Sequence, residues 1–485
     1  MQIYENPESG KPEPNVERSA ARIESVRTAA AGRPCETRSR LRIPALLFVL
    51  LGSACARTPV RLDPLPPSSV RLERFVLMLD GVPFALMDSL WREGHFREFQ
   101  PPSRLISTFP SLTGVAFRDI WQESPTNGYE DRYYDRQRDR LAGGLIDHVF
   151  NGEEHAGFHR NIDAKADGVS AGLAYLVPMT MAREELGRLR RFVRSHMGED
   201  TTIVAYIVST DAIAHRSEHN ELSTFLMEIE AFLRDLREAA GGDLEIVLFS
   251  DHGNDLVPTR LVRLGPALRD AGFKPGTHVR GPADVAVPRF GLVGSAFLYT
   301  WPGQTAAVAD VVRNVEGVDF VAFRDADERI TVSGPRGRAV IEVDASADRY
   351  RYRPVTGDPL ELVPVLDRLQ ANGELAADSS ASDSAWLRET LSSAFIDPLR
   401  RITLGLEAVK NPADIIVSLA PGHHFGDERA DLLVGVTGTH GSLRTTSSLA
   451  FAMRTGSPLP DPLRSDQLDR VVGLPRRQHE RERSN

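Results

Sequence analysis

Three carboxylates, three imidazoles and one hydroxyl stand in this sequence where they could do chemistry together. Asp80 follows the apolar run Phe75 to Leu79, Asp211 and His215 follow Ile203 to Val208, Asp251 and His252 follow Leu244 to Phe249, and His440 follows Leu432 to Val436. Taken singly, an Asp after such a run is a turn or helix-capping residue, and a lone His is structural. Together they form a donor set suited to two divalent ions. Asp211 and His215 are spaced to share one face of a helical turn, and Asp251 and His252 are adjacent. Thr113, in the segment Ser107-Thr108-Phe109-Pro110-Ser111-Leu112-Thr113-Gly114, supplies a hydroxyl just ahead of a helical-looking stretch, Val115 to Gln122. Backbone N–H groups and the helix dipole favour an anion there. A hydroxyl deprotonated by a metal at that place would be a nucleophile; its plainer use is to cap the helix.

Short, β-branched apolar runs alternating with helical-period segments predict an α/β fold with a mostly parallel sheet. In such sheets the carboxyl ends of the strands gather the ligand-binding residues, so four strands ending in donors predict one site on one edge.

Composition narrows the chemistry further. The chain has 485 residues, 41% hydrophobic and 26% charged, with a formal net charge of −9. That balance argues against binding a nucleic acid duplex through its backbone. Cys35 and Cys55 are the two cysteines, so a metal must be held by His and carboxylates.

Residues 1–55 read as a leader. Arg40-Leu41-Arg42 opens the apolar run Ile43 to Ser53, too short to span a bilayer as a helix, and Gly52-Ser53-Ala54-Cys55 closes it. The small residues before Cys55 resemble a bacterial lipobox, in which that thiol is lipidated. This predicts export to the periplasm or outer membrane with a lipid anchor in the membrane; an ordinary signal peptide or an uncleaved anchor is the alternative. Residues 56–70, with Pro59, Pro64, Pro66 and Pro67, read as an extended linker.

Asp80-Gly81, Pro110-Ser111-Leu112-Thr113, Asp211 to His215, Asp251-His252-Gly253 and Gly438-Thr439-His440-Gly441 occur in the order found in the alkaline phosphatase superfamily. The chain resembles the type I phosphodiesterase/nucleotide pyrophosphatase and phosphonoacetate-hydrolase-like branch of that family. The resemblance implies an alkaline-phosphatase-like three-layer sandwich with a central, mostly parallel sheet and an inserted α+β cap. The catalytic core would comprise residues 71–262 and 420–460, and the cap 263–419. It further implies that Asp211, His215 and His440 hold one divalent ion and that Asp80, Asp251, His252 and Thr113 hold the other. Zn would be the usual metal, with Mn or Fe suited to the same ligands. Thr113 would attack phosphorus and pass through a phosphothreonine. The implied activity is hydrolysis of a small phosphate ester or nucleotide-like substrate. A phosphomonoesterase, a phosphonate hydrolase, an envelope phosphotransferase or an inactive envelope binding lipoprotein would keep the same site.

The match is incomplete around the nucleophile. Gly114-Val115-Ala116-Phe117 follows Thr113, so the family's nucleotide-specific surroundings are not reproduced. Arg132 stands near the place of a family Asn that holds phosphoryl oxygens, and would bind a phosphate in bidentate fashion; otherwise it is a surface residue. Ser295 to Thr300, Ala306 to Asn314, Phe320 to Phe323, Ile330 to Val332 and Arg338 to Val343 read as βαβ-like pieces of the cap, and Ala376 to Ala385 as an exposed loop. His423-His424 is a solvent-facing pair or points into the site. Residues 461–485, charged and aperiodic, are expected to be disordered.

Overall fold

A computed structural model describes residues 71–144, 157–166, 174–216, 219–433 and 435–476. The central sheet has six strands. β1 (Arg74–Leu79) lies between β5 (Thr202–Ile207) and β6 (Glu245–Ser250), parallel to both. Beyond β6 come Leu449–Arg454, then β2 (Ser103–Ile106), then Leu463–Arg464. Leu449–Arg454 runs antiparallel to both its neighbours, so the sheet is mostly parallel.

Helices cover both faces, which is why the strands read as unbroken apolar runs. Phe75, Leu77 and Leu79 point into a core shared with α1 (Phe84–Glu93), α3 (Pro178–His196) and α5 (His219–Ala239). On α5 the buried positions Leu222, Phe225, Leu226, Ile229, Phe232, Leu233 and Leu236 follow the helical repeat. Val76 and Met78 point the other way, onto α2 (Thr113–Ile120) and the C-terminal helix Ser465–Val472. A two-strand hairpin, β3 (Arg132–Asp135) and β4 (Arg140–Gly143), projects after α2.

A second sheet of nine strands lies between Lys274 and Leu419. Strands occur at Ser295–Thr300, Val318–Arg324, Ile330–Gly334 and Gly337–Asp344, with a helix at Thr305–Val312, close to the expected pieces. Ser295–Thr300, the helix Thr305–Val312 and Val318–Arg324 make a split βαβ unit, both strands running antiparallel to Ile415–Leu419 between them, whereas tight hairpins add Ile330–Gly334 and Gly337–Asp344 in antiparallel fashion. The apolar cluster under this sheet also takes Phe109, Leu112 and Val115 from the segment that carries Thr113.

Two stretches expected to be irregular are ordered. Within Ala376 to Ala385, Ala381–Ser382 pairs with Arg349–Gly357, and Ser382 caps a helix over Asp383–Thr390. At the C-terminus, Leu463–Arg464 pairs with β2 and Ser465–Val472 buries Leu468 and Val472. The charges that made this tail look disordered are used internally. The buried Arg464 guanidinium bonds Asp397 at 2.7 and 3.0 Å and Asp383 at 2.9 Å. Residues 1–70 and 477–485, including Cys55 and the expected leader, lie outside the described residues. Among the described residues no helix is long and apolar enough to cross a membrane.

Candidate metal centre

Three strands deliver donors from their carboxyl ends, as parallel packing dictates. Asp80 follows β1, and Gly81 behind it adopts φ +66°, where a Cβ would lie 2.5 Å from Asp211 Oδ1. Only glycine lets the two carboxylate-bearing segments approach this closely. Asp211 and His215 share one face of α4 (Ser209–Arg216), which follows β5 directly. The buried carboxylate of Glu185, on α3, accepts the backbone N–H groups of Val208 and Ser209 (3.3 and 3.0 Å), fixing the start of α4. Asp251 and His252 follow β6.

The fourth donor arrives differently. The described residues of the run expected as a strand do not form one: Glu428–Leu433 is a short helix, begun by Asp427 Oδ1 accepting the N–H groups of Arg429 and Ala430 (2.9 and 3.0 Å), and Leu432 is exposed. His440 comes from the loop beyond it. The Ser111 carbonyl, 2.8 Å from His440 Nδ1, holds it in place.

Two triads result, Asp211–His215–His440 and Asp80–Asp251–His252, each with one donor atom per residue within 4.8 Å of the others. All six residues are buried. The triads adjoin: the rings of His252 and His440 stack with centroids 3.8 Å apart. Nδ1 of His252 lies 2.9 Å from the Gly253 carbonyl, and His215 is tied to the Gly438 backbone. With Nδ1 of His252 and His440 so engaged, Nε2 is the nitrogen turned toward each triad.

The electrostatics fit cations. Burial pushes His215 down to about 4 and His252 well below the usual imidazole range, leaving neutral rings with available lone pairs. Burial, reinforced by the charges of Asp251 and Asp211, pushes Asp80 well above the carboxylate range; burial likewise carries Asp251 up to about 8. Asp211 Oδ1 and Asp251 Oδ2, one in each triad, are buried without a hydrogen-bond partner. Such oxygens are costly, and a divalent ion in each triad would satisfy them.

Thr113 sits at the first position of α2. It is not the cap: Leu112 holds that place and makes no side-chain cap bond. The Thr113 hydroxyl instead lies 3.2 Å from Asp80 Oδ1 and 3.2 Å from His252 Nε2. The N–H groups of Thr113, Gly114 and Val115 precede the first intrahelical bond, Ala116 N–H to Leu112 O at 2.8 Å.

A cavity of about 710 Å³ opens beside the triads, lined by Asp80, Thr113, Asp211 and His440 among others. Arg132 is not among its lining residues; it is exposed at the start of β3, and Asn127 and Lys410 line the wall instead. His424 is buried and belongs to neither triad, with Thr259 Oγ1 2.8 Å from Nδ1 and Asp431 3.0 Å from Nε2. Two residues had no motif to reveal them. Tyr206 donates to Asp80 Oδ2, and Tyr175 donates to Asp211 Oδ2 at 2.7 Å. Burial raises both phenols well above their ordinary value, so both stay protonated donors. The available signal for Tyr206 was its place next to the carboxyl end of β5, pointing to the face opposite Ala205 and Ile207.

No protein-family model matches the chain, and none of the curated proteins matches its sequence. Among solved structures it is similar to phosphonoacetate hydrolase from Sinorhizobium meliloti 1021 in complex with phosphonoformate, at 13% identity and a TM-score of 0.44 over 85% of this chain and 98% of that one. It is also similar to human ectonucleotide pyrophosphatase/phosphodiesterase 5, at 10% identity and a TM-score of 0.45 over 84% of this chain and 96% of that one. What the site can do follows from its own side chains.

Proposed function

We propose that this protein is a hydrolase of phosphate esters that holds two divalent ions, zinc foremost, and uses Thr113 as nucleophile. The observation that carries the reading is the Thr113 hydroxyl, 3.2 Å from both Asp80 and His252 of one triad and at the start of a helix. Asp211, His215 and His440 would hold one ion; Asp80, Asp251 and His252, with Thr113, the other. When bound, the ions would supply the charge that lowers the pKa of the hydroxyl and stabilises the attacking and leaving oxygens.

The chain's own groups do the rest. Phosphoryl oxygens would collect at the start of α2, where the N–H groups of Thr113, Gly114 and Val115 precede the first intrahelical bond. Thr113 Oγ1 forms a bond to phosphorus as the ester oxygen leaves, giving a phosphothreonine. Water then cleaves that intermediate, restoring the hydroxyl and releasing the phosphate monoester that keeps the second organic group of a diester, or phosphate itself from a monoester. A cavity of about 710 Å³ has room for an organic group on the phosphate, which favours a diester or nucleotide-like substrate over a small monoester.

The test is hydrolysis of bis-p-nitrophenyl phosphate and p-nitrophenyl phosphate by the zinc-loaded protein and by Thr113→Ala. Preferential turnover of the diester, at least about a thousandfold lower in the variant, is the expected result. Equal turnover by Thr113→Ala would remove the nucleophile assignment. We also propose that the chain is exported and lipidated at Cys55, on the basic, apolar and small-residue order of residues 40–55. Mass spectrometry of the mature N-terminus decides this: an unmodified Cys55, or a start elsewhere, is the contrary result.

A further inference from the structure

All three carboxylates of the two triads show one pattern: one oxygen is held and the other is left facing the donors. The Gly81 N–H donates to Asp251 Oδ1 at 3.2 Å, and Asp251 Oδ2 is unpartnered. Tyr206 donates to Asp80 Oδ2, leaving Asp80 Oδ1 3.2 Å from Thr113 and 3.4 Å from His252 Nε2. Tyr175 donates to Asp211 Oδ2, which also lies 3.3 Å from His215 Nε2; Asp211 Oδ1 is unpartnered, 3.7 Å from His440 Nε2. A carboxylate turns about its Cβ–Cγ bond and exchanges its oxygens unless one of them is held. Backbone holds Asp251; side chains hold the other two.

The two tyrosines serve different triads. Tyr206 is buried on β5, with its ring edge-on to Phe117 at 5.2 Å, and Phe117 belongs to the helix that begins with Thr113. Tyr175 is near the other triad, its ring centroid 5.9 Å from that of His215. We infer that Tyr206 and Tyr175 are positioning residues, each orienting the carboxylate of one ion site and each governing the affinity of that site alone. This rests on the two-ion reading above. Outer hydrogen bonds of this kind fix which ligand atom faces the metal, and their loss characteristically weakens binding by about 10- to 100-fold.

The experiment uses the whole protein, stripped of metal and titrated with zinc against a chromophoric chelator that resolves the two binding steps. His215→Ala identifies which step belongs to the Asp211 triad. Tyr206→Phe is expected to weaken the other step about 10- to 100-fold and leave this one unchanged, and Tyr175→Phe to do the reverse. Melting of the metal-free variants within about 2 °C of wild type would show that the phenols act on the sites and not on the fold as a whole. Two ions bound by wild type with unchanged affinity in both Phe variants would overturn the inference and leave the two-ion reading standing. One variant weakening both steps together with its melting temperature would also overturn it, as a structural role. No zinc bound by wild type would overturn the two-ion reading itself.

Discussion

Without its ions the centre confines three carboxylates in one buried space, and this has a measurable consequence. Burial raises Asp251 from an ordinary 3.8 to about 8, so between those values the folded protein keeps a proton that the unfolded chain has released. Stability of the metal-free protein therefore falls as pH rises from about 6.5 to 8; below that, His215 and His252, kept neutral by burial while the imidazoles of the unfolded chain take up protons, act in the opposite direction. The linkage slope is about 1.4 kcal/mol per pH unit, or roughly 2 kcal/mol from pH 6.5 to pH 8 for Asp251 alone. Asp80 acts in the same direction but shares the charge with Asp251, so it does not add a second full increment. Bound ions reverse the trend, because the ligands are then ionised and protons compete with metal only at low pH. At a free ion concentration one hundred times Kd, each site adds about 2.7 kcal/mol, or about 6 °C in Tm for two sites in a domain of roughly four hundred residues. The assay is thermal unfolding from pH 6.5 to pH 8, with chelator and with zinc. Asp251→Asn serves as the control, and should be more stable than wild type in chelator at pH 8 and bind less zinc. A chelated Tm that is flat or rising with pH, with no gain in Asp251→Asn, would refute this account of the centre.

Other perturbations separate structure from chemistry. Arg464→Leu strands the buried carboxylates of Asp383 and Asp397 and should cost about 3–5 kcal/mol in urea unfolding; a loss below about 1 kcal/mol would show the ion triad to be dispensable. Burial raises Glu130 to about 7, while one of its oxygens accepts the Gly291 N–H at 2.7 Å. Glu130→Gln keeps that acceptor and removes the charge, so it should stabilise the protein at pH 8 and have little effect at pH 5; the opposite pH order in unfolding midpoints would contradict the assignment. Arg132→Ala should leave kcat/KM within about twofold, whereas Asn127→Ala, on the cavity wall, should lower it about tenfold or more if it holds a charged substrate oxygen. The reverse order would restore Arg132 to the site.

The parts of the fold legible in the sequence were those where local pattern and tertiary role coincide. β1, β5 and β6 are buried on both faces, so their runs are apolar throughout and end where the donors begin. The run at Leu432 looked the same by composition. An aspartate cap and an exposed face made it helical instead, and neither feature is visible in an apolar count. The C-terminal tail failed for a related reason: Arg464 reads as a solvent charge until Asp383 and Asp397, more than sixty residues away, are brought to it. Thr113 was identifiable as a hydroxyl before a helix, but whether it capped that helix depended on the backbone at Leu112. Tyr206 and Tyr175 act through contacts 126 and 36 residues apart in sequence, so no spacing rule could point to them.

The packing of Phe109, Leu112 and Val115 into the cluster beneath the second sheet limits how this molecule can change. Arg401 strengthens the tie, donating to the carbonyls of Thr108 and Leu443 at 2.9 and 3.2 Å, and so joins the segments that bring Thr113 and His440. The region of residues 274–419 is thus part of the frame that positions the Thr113 hydroxyl, not an interchangeable lid. Swapping it wholesale for another would displace Thr113 along with the cavity wall. New substrate preferences are open to it residue by residue, on the surfaces facing the cavity, while the side facing Phe109 must stay as it is.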